Sequence, residues 1–163
     1  MALTPIIKTI TTPIYTVGMG GSFVPMSPQI PQLWDAFLPR LAEIPHQTIP
    51  KISFGICVSK HQAIAKHNPN EFVYIAAVQV DMLPAQLPDG MCSTLIPAGT
   101  YAVFTHKGSL STFSETISYI YGQWQQTIER ATDMPDFEWY DHRFNPQSNN
   151  SEIDVYIPIK DNK

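Results

Sequence analysis

The chain has 163 residues, 44% of them hydrophobic and 11% aromatic, which is enough to bury a sizeable core in one globular domain and too apolar for a disordered segment. Only 15% are charged and 15 are proline, which excludes a coiled coil; fourteen acids against ten bases leave a net charge of -4, the wrong sign for gripping duplex nucleic acid. No window approaches roughly 18 consecutive apolar residues, and the N-terminus lacks a basic stretch followed by an apolar run, so neither a membrane span nor a signal peptide is expected and the protein reads as cytoplasmic. Cys57 and Cys92 lie 35 residues apart without CxxC spacing, which argues for buried, inert thiols rather than a disulfide framework or a zinc site.

In chain order, β-branched and aromatic runs bounded by Pro, Gly or Asn predict strands over Thr9–Gly20, Lys51–Ser59, Glu71–Val80, Met91–Lys107, Asp136–Phe144 and Glu152–Ile159. Helical spacing occurs twice, at Ile30, Leu33, Trp34, Phe37 and Leu41, and at Leu110, Phe113, Ile117, Ile120, Trp124 and Ile128. Pro39 interrupts the first stripe and predicts a kink or an early end near Leu38. Thr112 and Glu115 have the spacing of a capping box for the second helix, although Leu110 argues for a start one turn earlier, from Ser109.

The order β-α-β-β then β-α-β-β is that of an internal duplication, with repeats over about 8–82 and 90–160 and a linker at Asp81–Gly90. Gly21-Ser22-Phe23 matches Gly108-Ser109-Leu110, Phe54-Gly55 matches Phe137-Glu138, and Tyr74 matches Tyr156. A duplicated fold places a cleft between its halves, a common location for small-molecule sites.

Several motifs in succession, Leu33-Trp34-x-x-Phe37, Phe72-x-Tyr74-Ile-Ala, Ile96-Pro-Ala-Gly-x-Tyr-x-Val-Phe-Thr-His-x-Gly108, Tyr119-Ile-Tyr-x-x-Trp124, Asp136-Phe-Glu-x-Tyr-Asp and Val155-Tyr-Ile-Pro-Ile159, resemble the effector-binding domain of AraC-type transcription activators, also called the GyrI-like small-molecule-binding domain. The resemblance spans about Lys8 to Lys160. It implies an α+β fold: a duplicated strand-helix-strand-strand module with an antiparallel sheet, two main helices on one face and a ligand channel on the other. The family includes multidrug-sensing regulators that hold cationic aromatic compounds and free-standing copies, some similar to proteins encoded on mobile integron cassettes. Its regulators carry a helix-turn-helix domain ahead of this module, whereas only a few residues precede Thr9, so a stand-alone bacterial binder is expected. After Trp124 the family often continues with Leu-Pro and a Gly turn; Gln125-Gln-Thr-Ile stands here instead, at the expected lip of the pocket.

The family's acidic position, which faces a cationic ligand, falls on Glu138. Alternation adds that, if Phe137 and Trp139 pack beneath the helices, Glu138 and Tyr140 point to the opposite face. Tyr74, Tyr140 and Trp124 are the leading aromatic lining candidates, followed by Tyr156, Trp34 and Tyr101, each of which is equally at home in a core. Met19 and Met91 fit flexible gap-filling. Eight of the fourteen acids follow Ile128, forming a solvated acidic face able to draw cations toward the cleft.

Enzyme motifs are absent: there is no Gly-x-Ser-x-Gly and no His-Glu-x-x-His, and Gly18-Met-Gly20-Gly21-Ser-Phe fails the dinucleotide pattern at its last position. No cofactor or metal is therefore expected. His61 and His67 read as loop residues, and His106 and His142 as structural or surface groups. The sequence supports a binder of cationic, amphipathic aromatic compounds. Hydrolysis of reactive small molecules in the same channel, with Glu138 as general base, and interaction with gyrase stand as alternatives; the natural ligand and the oligomeric state stay open.

Overall fold

Eight strands and two α-helices form from these patterns in the computed structural model, which describes residues 3–58, 71–131 and 133–160. The elements are β1 (Ile6–Ile10), β2 (Ile14–Phe23), α1 (Gln29–Phe37), β3 (Ser53–Val58), β4 (Phe72–Val80), β5 (Cys92–Ile96), β6 (Gly99–Lys107), α2 (Phe113–Gly122), β7 (Asp136–Tyr140) and β8 (Glu152–Pro158). They make one antiparallel sheet in the order β1-β6-β8-β7-β3-β4-β2-β5, so the α+β class and the duplicated architecture are as expected.

Two predicted strands split, at prolines that cannot donate to a ladder. Pro13 separates β1 from β2, and Pro97 separates β5 from β6. The pieces then exchange halves. β1, from the first half, pairs with β6 of the second; β5, from the second, pairs with β2 of the first. Each half is therefore edged by a strand of the other. Ile10 next to β6 and Ile96 next to β2 stand at opposite ends of the strand order yet join one apolar cluster with Phe54, Ile56, Tyr101 and Phe137, which requires the sheet to curl around that face.

The opposite face carries the helices. Phe37 of α1 is fully buried against Val17, Ala76 and Val78 of β2 and β4, with Leu33 and Trp34 beside it. Beyond Phe37 the chain tightens into a 3-10 turn over Leu38–Glu43 containing Pro39, so the α-helix ends where that proline predicts. Met91 is buried in the same cluster and Met19 packs against it, the gap-filling role expected of both.

Phe113, Ile120 and Trp124 of the second apolar stripe pack on Phe104, Ile153, Val155 and Ile157 of β6 and β8. A 3-10 turn over Leu110–Thr112 precedes α2, which is the earlier start anticipated from Leu110. The capping box does not form. The Thr112 hydroxyl donates to the Ser109 carbonyl at 3.0 Å instead of accepting from the helix, and His106, buried and 2.7 Å from the Thr116 hydroxyl through Nδ1, ties β6 to α2 in its place. His106 is thus the structural residue foreseen.

Strand β7 stops at Tyr140 rather than Phe144, because Asp141 turns the chain by accepting from the Arg143 backbone at 3.0 Å and from its guanidinium at 2.8 Å. The end of the predicted strand Lys51–Ser59, together with His61 and His67, lies outside the described residues. No helix among the described residues is long and apolar enough to cross a membrane.

The Phe104 ring is fully buried, 4.8 Å from that of Trp124 and 6.5 Å from that of Tyr119. Phe104→Ala is expected to cost about 3–5 kcal/mol in urea unfolding followed by tryptophan emission.

Candidate functional site

Because α1 packs on β2 and β4 while α2 packs on β6 and β8, the two central strands β3 and β7 lie between the strands that carry the helices. Side chains alternate along those strands, and register assigns the faces. Glu138 lies opposite Gly55, Asp136 opposite Cys57 and Tyr140 opposite Ser53; on the next strand Gly55 lies opposite Ala76, which packs under α1. Glu138 and Tyr140 therefore share the helices' own face. Phe137 and Trp139 occupy the other one, where they pack with Phe54 and Tyr156, reversing the expected arrangement. The face away from the helices is packed with rings, Phe137 and Tyr156 stacking 4.6 Å apart, so these apolar side chains, and not Glu138, occupy the side around which the sheet curls.

The carboxylate is held by two phenols. Tyr74 Oη donates to Glu138 Oε1 at 2.8 Å and Tyr140 Oη donates to the same oxygen at 2.6 Å; Trp34 Nε1, from α1, donates to Tyr74 Oη at 3.0 Å. The Trp34 and Tyr140 rings meet edge to face at 5.5 Å. Oε2 accepts no hydrogen bond, and no basic side chain forms an ion pair with Glu138, among the described residues. Withdrawal from water raises the Glu138 carboxyl above its ordinary range, and the hydrogen bonds from Tyr140 and Tyr74 only partly oppose this. Burial, with the Glu138 charge, pushes both phenols well above the usual tyrosine range, so they remain donors. Glu138 and Tyr140 nonetheless keep some accessible surface.

Gly55 makes this cluster sterically feasible. A Cβ there would stand 2.7 Å from Tyr74 Cζ and closer still to Tyr74 Oη and Glu138 Oε1.

Of the predicted residues, Glu138, Tyr140, Tyr74 and Trp34 come together. Trp124 does not; it is buried beneath α2 against Phe104. Tyr101 and Tyr156 lie on the far face, where the Tyr101 hydroxyl donates to the Pro97 carbonyl at 2.7 Å. The Tyr74–Tyr156 correspondence fails for the same reason. Tyr74 pairs with Cys57 and Tyr156 with Phe137, on opposite faces, so ladder register equates Tyr156 with Ala77 instead. Both cysteines are free and half-buried, and burial raises each thiol.

A second polar cluster on the same face had not been singled out. Tyr121 of α2 donates to Asp136 Oδ2 at 2.6 Å, and Arg130 Nη2 reaches both Asp136 oxygens at 2.5 and 2.6 Å. The Arg130 guanidinium also lies over the Tyr121 ring, 5.4 Å from its centroid. Burial raises the Asp136 carboxyl, while Arg130 and Tyr121 pull it back. The period-2 relation between Asp136 and Glu138 was the available signal. A separate surface groove of about 590 Å³ beside α2, lined by Leu3, His106, Lys107, Glu115 and Tyr119 among others, contains none of the predicted site residues. No group of three or more potential metal ligands occurs among the described residues.

The family model for the integron-associated effector binding protein matches residues 12–159. The chain belongs to this family. It is 40% identical over 134 residues to the transcriptional regulator BrlR of Pseudomonas aeruginosa, covering 80% of this chain and 46% of that protein; the chain thus spans about half the length of this curated relative. The fold is similar to that of an integron cassette protein from the mobile metagenome of Vibrio cholerae, with a TM-score of 0.68, 20% identity and 96% of both chains covered. It is also similar to SAV2435, solved bound to tetraphenylphosphonium, with a TM-score of 0.71, 15% identity, and 97% of this chain and 94% of that one covered. The effector-binding fold is therefore established for this chain.

Gly55→Ala is expected to force Tyr74 or Glu138 aside and to lower stability by about 1–3 kcal/mol in chemical denaturation. Glu138→Gln tests the cost of the carboxylate itself. A raised folded-state value means that the carboxyl favours the folded state in its neutral form, and this contribution is lost as pH rises through that value. The Gln variant is therefore expected to melt higher than the parent at pH 7, with the difference vanishing below about pH 4 in thermal scans, where an unfolded Glu is protonated as well.

Proposed function

We propose that the cleft between α1 and α2 binds an organic cation of low charge density, with Glu138 as its charge partner and Trp34, Tyr74 and Tyr140 as its aromatic surround. One observation carries this reading: Glu138 is a largely desolvated carboxylate with two phenolic donors and no basic partner among the described residues. An ionised carboxylate in that setting is costly. A cationic guest offsets the cost, and a bulky or flat, delocalised cation does so with little dehydration of its own. Each ring adds about 0.5–2 kcal/mol of cation-π attraction, while micromolar binding needs only about 8 kcal/mol in all. The tetraphenylphosphonium held by SAV2435 is a ligand of this chemical class, which makes it the natural first probe.

Binding of tetraphenylphosphonium by calorimetry, and of a rhodamine-type dye by fluorescence anisotropy, is expected to saturate at micromolar concentrations. Glu138→Gln is expected to weaken both at least about tenfold, since the variant retains the shape but not the charge. A neutral tetraphenyl analogue should bind wild type and variant alike. Affinity should fall with acidification, beginning above the pH at which an ordinary glutamate titrates, because protonation removes the counter-charge. Equal binding of the cation by wild type and Glu138→Gln overturns the reading, and so does product formation from the probe without retention.

A further inference from the structure

We infer that Arg130 is a built-in cation that neutralises the second carboxylate of the cleft floor, leaving the site with one free negative charge and making it selective for monocations; this rests on the cation-binding reading above. The floor carries two acids on one face of β7, Asp136 and Glu138, about 6.6 Å apart along the strand. Their surroundings are chemically parallel. Each accepts a tyrosine hydroxyl from outside β7, Tyr74 of β4 for Glu138 and Tyr121 of α2 for Asp136, and each has an aromatic ring beside it.

They differ in one component. Asp136 has a planar, delocalised cation on both of its oxygens and over the Tyr121 ring, whereas Glu138 has none among the described residues. Arg130 is thus already bound to its own chain in the way an organic cation would bind at Glu138.

The support for Arg130 comes from the segment just after α2. Gln125 Oε1 accepts from Arg130 Nη1 at 3.2 Å, while the Gln125 amide donates to the Tyr121 carbonyl on α2, so one glutamine joins the guanidinium to the helix carrying its ring. Arg130 Nε is buried without an acceptor. An unsatisfied donor is unfavourable, so this arginine is placed for its charge rather than for saturated hydrogen bonding. With Asp136 compensated, a dication entering the cleft would bring one charge more than the floor can match, and that charge would be dehydrated without a partner.

Ethidium and propidium, which share a phenanthridinium ring system and carry one and two positive charges, test this directly. Affinities of both dyes are measured by fluorescence for wild type, Arg130→Gln and Asp136→Asn, each checked for native circular dichroism and melting. Wild type is expected to prefer ethidium. Arg130→Gln uncovers Asp136 and is expected to shift the propidium-to-ethidium affinity ratio toward propidium at least about tenfold, a shift that shrinks with added salt. Asp136→Asn leaves Arg130 uncompensated and is expected to weaken both dyes, propidium more. An unchanged ratio in Arg130→Gln, alongside ethidium binding that still depends on Glu138, overturns the inference and leaves the cation-binding reading intact. Should Arg130→Gln not fold, Asp136→Asn decides, because unchanged affinity for both dyes in that variant overturns the inference by itself. Absence of saturable binding of either dye by wild type overturns both.

Discussion

A carboxylate taken out of water and given two phenols but, among the described residues, no cation is the constraint on which the proposed site depends. A hydrogen bond from Tyr74 or Tyr140 stabilises the charge but does not cancel it. The structure must therefore hold Glu138 in place against a standing tendency to take up a proton, and it does so through rigid neighbours. Tyr74 is anchored by Trp34 of α1, Tyr140 abuts the same indole, and the glycine beneath them admits the whole cluster to the sheet surface. Stability given up at this point is recovered in the apolar clusters, to two of which the site is joined through Trp34 and Tyr140.

The duplicated topology makes such a site possible. Placing one helix on each outer group of strands leaves β3 and β7 in the middle, where side chains from both helices, Trp34 and Tyr121, meet those of the two strands. The exchange of edge strands ties the two halves together. With β1 pairing to β6 and β5 to β2, each half is bound to the other at its outer edge as well as along the β3–β7 seam, so opening the cleft would strain three ladders at once.

Much of this was legible in the sequence, and the failures share one origin. Alternation correctly grouped Glu138 with Tyr140 and separated them from Phe137 and Trp139, but period-2 logic is blind to which face a helix will choose. That choice was made by the curl of the sheet, a property of all eight strands together. Tyr156 was misassigned because Val-Tyr-Ile recurs in both halves, whereas ladder register, invisible in sequence, puts the second tyrosine three residues out of phase and so on the other face. Trp124 occupies the helix position the pattern predicts but packs into the core with Phe104. Asp136 was in plain view two residues before Glu138, yet its partners Tyr121 and Arg130 come from separate segments that only tertiary structure brings together.

The asymmetry of the floor has a physical logic of its own. Glu138 stands directly across the central seam from Gly55, its counterpart in the first repeat, so a symmetric duplication with acid at both positions would set two carboxylates on adjacent strands about 5 Å apart between their backbones. Like charges that close cannot both ionise, and one would carry a proton through the neutral range. Replacing one acid by glycine removes the repulsion and at the same time opens the space that Tyr74 and Glu138 occupy above it. The other acid of the floor, Asp136, is kept at the price of an arginine. What remains on this face is one carboxylate, Glu138, without a basic partner among the described residues, beside the Trp34 indole and the Tyr74 and Tyr140 phenols.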